Sequence, residues 1–133
     1  MAGKIIADTL EHSTAGSVTT DYVVNGSLKS WLNYRHKSTV SVRDSFNISS
    51  VTDSATGYGV ANYTNSFVNN DYAPLVMGDG DSSSHHTSAA TRATTADANV
   101  TFTTSAHGYY MHNIGGSTLD AIYVTAQYAG DLA

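Results

Sequence analysis

The chain has 133 residues and a formal net charge of −5, with only 13% of its residues charged. Six Lys and Arg in total, with no basic run, exclude a partner held through nucleic-acid phosphates. The lack of cysteine excludes a disulfide framework and a thiolate zinc site.

Length is that of one domain. Ser and Thr together number 34, displacing the residues that build helices, while 41% apolar content and nine tyrosines mark a chain that folds. A single β-domain over residues 21–133, preceded by an N-terminal arm over residues 1–20, is the expected organisation. No apolar run near the N-terminus is long enough for a signal peptide or a membrane span, so the chain is expected to be made and released in a cytoplasm.

Lys4 to His12 places Ile5, Ile6, Thr9 and Leu10 at a spacing that fits one or two helical turns or an extended arm. Tyr22 to Val24 and Leu28 to Tyr34 flank Asn25-Gly26, a turn signal that predicts a hairpin. In the second of these segments Leu28, Ser30, Leu32 and Tyr34 share one face, and Trp31 and Asn33 the other. Apolar residues on both faces predict a central strand, or one covered on both sides.

From Val40 to Phe67 the period-2 pattern is continuous apart from Asp53 to Gly57, and predicts an antiparallel meander of three strands with Phe46 on the buried face. Tyr72 to Met77 reads as a strand that Pro74 demotes to an edge or a bulge. Alternation is then absent over residues 78–97, GDGDSSSHHTSAATRATTAD, which reads as a long functional or mobile loop. It returns at Val100 to Thr103, at Gly108 to Met111 and at Leu119 to Tyr128. In all, seven to nine short strands predict an all-β fold, an antiparallel β-sandwich of jelly-roll type.

Candidate chemistry is sparse. One Glu and ten Asp, most of the latter in predicted turns, provide no pair of carboxylates about a cleft. No G-x-S-x-G, H-E-x-x-H or phosphate-cradling loop occurs, so no catalytic residue, cofactor site or metal site is assigned and the chain is not expected to be an enzyme. Of six histidines, His85 and His86 lie together in the long loop, and His107 and His112 fall on opposite faces of a strand. His85, His86, Tyr109 and Tyr110 are the candidate receptor contacts, and Tyr63, Tyr72 and Tyr128 are further rings able to stack on sugars or to serve as ordinary strand and interface residues.

Three segments carry a resemblance: Gly3 to Ser27, Trp31-Leu32-Asn33-Tyr34, and Val42 to Asp53 with its Arg43-Asp44-Ser45-Phe46-Asn47 run, followed at the end by Thr125 to Ala133. Together they resemble a module of tailed bacteriophages of marine bacteria, a tail-fibre-like or virion structural protein. The resemblance implies a virion protein that assembles with itself, a trimer being favoured, and with other virion proteins. It leaves open a tail fibre subunit, a capsid (head) decoration protein or a tail accessory; a module that binds a host surface glycan is the separate expectation raised by residues 78–97 and by Tyr109-Tyr110. The resemblance carries over no functional residue.

Overall fold

The computed structural model describes residues 3, 6–80, 88–91, 102–113 and 115–133, with side chains described for all of these but 88–91. The described strands are β1 (Thr9–His12), β2 (Gly16–Thr19), β3 (Ser30–Arg35), β4 (Ser41–Phe46), β5 (Ile48–Ala55), β6 (Tyr58–Tyr63), β7 (Ala73–Asp79), β8 (Ser88–Thr91), β9 (Ala106–His112) and β10 (Tyr123–Ala129), and the described helix is α1 (Thr20–Gly26). Two four-stranded antiparallel sheets, in the orders β4-β3-β10-β7 and β5-β6-β9-β8, make the sandwich; β1 and β2 form a separate hairpin. The all-β sandwich read from the alternation is the observed architecture.

The central strands write the core. Leu32 and Tyr34 on β3, Val124, Ala126 and Tyr128 on β10, Ala61 and Tyr63 on β6, and Tyr109 and Met111 on β9 are all buried in one cluster. Along β10 the pattern is strict: Val124, Ala126 and Tyr128 face in, while Tyr123, Thr125 and Gln127 face solvent. Small residues sit among large rings, as close packing requires. A Cβ on Gly59 would lie 2.8 Å from the Tyr34 hydroxyl and 2.9 Å from the Tyr109 ring, so only glycine leaves room for that pair of rings.

The Val40 to Phe67 stretch forms its three strands but not one meander. β4 pairs with β3, and β5 pairs with β6 in the opposite sheet. Asn47 turns the chain between sheets at φ 57, a left-handed conformation that Asn tolerates better than most residues. Its side-chain carbonyl accepts the Asn65 backbone N–H at 2.8 Å, and its amide donates to the Asn65 carbonyl at 3.1 Å, tying the corner to the far end of β6. This corner also puts Phe46 on the outside: it lies opposite Trp31 on the outward face of β3 and is 54% exposed, not buried.

A second correction concerns the expected hairpin about Asn25-Gly26. Residues Thr20–Gly26 form a short helix with Asp21 in its first turn, where a carboxylate favours the helix N-terminus. Both edges of β3 are taken, by β4 and by β10, so Tyr22 to Val24 has no vacant edge to pair with. In the arm, Thr9 to His12 is extended and pairs with β2. Pro74 lies in β7, which is an edge strand as its proline predicts. Within the segment read as a loop, β7 runs on to Asp79 and Ser88–Thr91 pairs with β9; residues 81–87 and 92–97 lie outside the described residues.

Candidate functional site

The expected receptor contacts do not come together. His85 and His86 lie outside the described residues. Tyr109 is fully buried, so it offers no ring to a ligand. Tyr110, the next residue of β9, points to the outside of its sheet, where it stacks on Tyr58 at 6.0 Å and on His112 at 5.3 Å between ring centroids. Tyr63, Tyr72 and Tyr128 are also core residues and meet each other edge to face inside the sandwich.

That interior is polar as well as aromatic. The Tyr109 hydroxyl donates to the Tyr34 hydroxyl at 2.7 Å, and the latter lies 3.3 Å from Nδ1 of the buried His36. His36 Nε2 is 3.2 Å from Asp53 and 3.8 Å from Asp120, both of which reach solvent, and it makes an electrostatic contact there without an aligned hydrogen bond. Asp120 also accepts the Gly57 N–H at 2.6 Å. This chain of groups carries polarity from the core to the surface and anchors the connection that follows β3.

Burial sets the protonation of the rings. The phenols of Tyr34, Tyr63, Tyr109 and Tyr128 are all held well above the usual tyrosine range, because the phenolate would lose its hydration. Burial alone pushes His107 down to about 4. His107 Nδ1 is 3.4 Å from the Tyr128 hydroxyl, and its Nε2 is buried without a partner among the described residues.

The outer face of the sheet β4-β3-β10-β7 exposes large apolar side chains. Its register aligns Phe46, Trp31, Gln127 and Leu75 in one row and Asp44, Asn33, Thr125 and Met77 in the next. Leu75 is 57% and Met77 62% exposed, and Tyr123 is 55% exposed on the same side. Sequence showed that β3 had two apolar faces, but which neighbours extend the outer one depends on pairings between distant segments.

The N-terminal segment repeats the feature. Leu10, Val18, Tyr22, Val23 and Val24 of the hairpin and helix are exposed, and α1 buries none of its residues. The chain thus displays apolar surface on a sheet face and on a hairpin and helix outside the core. No protein-family model, curated protein or solved structure matches the chain.

Proposed function

We propose that this chain is a structural protein of a tailed-phage virion, a tail-fibre-like subunit that works as a homo-oligomer, with a trimer as the favoured state. The observation that supports assembly is the pair of apolar surfaces, the Phe46, Trp31, Leu75 and Met77 face and the N-terminal hairpin and helix bearing Val18, Tyr22 and Val24. Surfaces of this kind mark interaction sites on soluble proteins. A second copy of the chain supplies both halves of such a contact, the hairpin and helix of one subunit against the sheet of the next, and a head-to-tail contact of this sort closes into a ring when its rotation allows. The assignment to a virion rests on the resemblance of Gly3 to Ser27, Val42 to Asp53 and Thr125 to Ala133 to the phage module.

Sedimentation of the purified chain at micromolar concentration tests the assembly, with a mass of three chains expected. A single-chain mass that persists with the other virion proteins present would sink the reading. Detection of the chain by peptide mass spectrometry in purified particles tests the location, and its absence from them would remove the virion role.

Recognition of a host glycan is the second reading, favoured by the half-buried Tyr58, Tyr110 and His112 strip on the opposite sheet. Aromatic faces of this type stack on the apolar faces of sugars. Unchanged adsorption of particles carrying Tyr110→Ser would count against it.

A further inference from the structure

The connection between β3 and β4 carries a pocket of about 500 Å³ lined by Arg35, Ser38, Thr39, Ser41 and Arg43. We propose that it is a binding site for a tetrahedral oxyanion, the sulfate or phosphate ester group of a ligand presented from solvent. The inference does not rest on the assembly or virion readings above.

The first argument is charge. The chain has six Lys and Arg against eleven Asp and Glu, yet two of the six line this one pocket. Neither guanidinium is paired with a carboxylate among the described residues. Arg35 spends Nε on the Lys37 carbonyl at 3.0 Å. Arg43 donates through Nη2 to the Ile122 carbonyl at 3.0 Å and lies 4.3 Å from the centre of the Tyr123 ring. The nearby Asp44 accepts the Ser45 backbone N–H instead. Each arginine is therefore held in place by neutral groups while most of its five N–H donors stay unspent.

The second argument is construction. The ladder between β3 and β4 shifts register after Asn33, so that Arg43 is the extra residue of a bulge, a device that re-aims a side chain. Ser38 sits at φ 69, a left-handed conformation that a non-glycine residue adopts only when its surroundings enforce it. Here the enforcement is visible: the backbone N–H groups of His36 and Lys37 both donate to the Ala121 carbonyl at 3.0 Å, and the His36 ring is buried beneath the loop. The loop is thus pinned before any ligand arrives, which lowers the entropy lost on binding.

The third argument selects the ligand. The hydroxyls of Ser38, Thr39 and Ser41 make no hydrogen bond among the described residues, and with two guanidinium forks they supply more donors than the roughly four lone-pair sites of a carboxylate can accept. A sulfate or phosphate ester has three terminal oxygens and takes bidentate contacts from two arginines at once.

Titration of the full chain with inorganic sulfate and with inorganic phosphate, at ionic strength held constant with sodium chloride, tests this. Backbone amide resonances report the site. Saturable shifts confined to residues 35–43 are expected. Arg35→Gln and Arg43→Gln should each weaken binding at least tenfold, and Arg43→Lys, which keeps the charge but not the fork, should weaken it less. Lys29→Gln removes the same charge elsewhere and should leave binding unchanged. Thermal melts identify any variant that fails to fold; Arg35, exposed at the strand end, is the substitution least able to disturb the fold.

Comparison of a sulfated with a phosphorylated monosaccharide at pH 7 then distinguishes the two sources by which ester binds more tightly. Shifts that do not saturate, that survive in both arginine-to-glutamine variants, or that fall equally in Lys29→Gln overturn the proposal. So does acetate binding as tightly as sulfate.

Discussion

Tyr109 of β9 and Tyr34 of β3 join the two sheets through their hydroxyls, 2.7 Å apart in the middle of the sandwich. Because Tyr34 also faces His36 Nδ1 at 3.3 Å, the two phenols are not equivalent. Tyr109→Phe removes one donor and leaves Tyr34 its histidine, at about 1 kcal/mol. Tyr34→Phe strands both the Tyr109 hydroxyl and a buried imidazole nitrogen, so about 2–3 kcal/mol is expected. Urea denaturation of the two variants measures the difference, and equal losses would mean that the hydroxyl chain does not act as a unit.

Gly59 is the space those rings occupy. The added Cβ of Gly59→Ala would meet the Tyr34 hydroxyl at 2.8 Å and Tyr109 Cζ at 2.9 Å, so overpacking should cost about 1–3 kcal/mol. Removing the Tyr34 oxygen relieves one of these contacts. The double variant Gly59→Ala, Tyr34→Phe should therefore lose less stability than the sum of the two single changes. Additive losses would show that the glycine serves another purpose.

Phe46 shows how far alternation can be read. The pattern correctly separates Phe46 from its neighbours, but alternation has two faces and names neither as inside. The answer lies in the left-handed Asn47 corner, which sends β4 and β5 to opposite sheets and leaves Phe46 beside Trp31 on the outside. The tyrosines were opaque for a different reason: an amphipathic ring suits a core with hydroxyl partners as well as a surface, and Tyr109 and Tyr110 take one role each. In sequence the basic Arg35-His36-Lys37 triplet suggests only a solvated turn into the next strand, whereas the structure buries His36 beneath that turn. The pocket needs Arg43, which only the bulge brings back beside Arg35.

The same exposure predicts how substitutions on the outer face behave. Phe46→Ala should cost well under the roughly 3–5 kcal/mol of a buried phenylalanine. Met77→Glu, on the exposed edge strand, should leave the melting temperature of the isolated subunit nearly unchanged while shifting the sedimenting species toward one chain. An oligomer that tolerates Met77→Glu would place the contact away from this face.

Alkaline titration should find the tyrosines in two classes. Those buried in the core have raised pKa values, so near pH 10 the unfolded chain loses phenolic protons that the native chain keeps. Their contribution to stability is complete below pH 10 and falls as the pH rises above it. Tyrosinate absorbance should therefore develop for the exposed rings first and for Tyr34, Tyr63, Tyr72, Tyr109 and Tyr128 only together with loss of structure. A single smooth titration of all nine while the fold persists would contradict the buried positions.

His107 works in the opposite direction and at the acid end. Its ring is fully buried among Tyr72, Phe102, Tyr109 and Tyr128, with no carboxylate in contact among the described residues to stabilise a charge. The native pKa of about 4 lies below the ordinary histidine value of 6.5, so between the two the unfolded chain binds a proton that the native chain refuses. Stability is thus independent of this group above pH 6.5 and falls as the pH drops through the window to 4, by about 3 kcal/mol in all. Carboxylates add their own acid dependence, which the variant His107→Gln retains. The difference in unfolding free energy between wild type and His107→Gln, measured from pH 7 to pH 4, isolates the histidine. It should shrink steadily in the glutamine's favour as the pH falls, because glutamine never charges. A difference that stays constant across that range would mean that the imidazole protonates inside the folded sandwich as readily as in the unfolded chain.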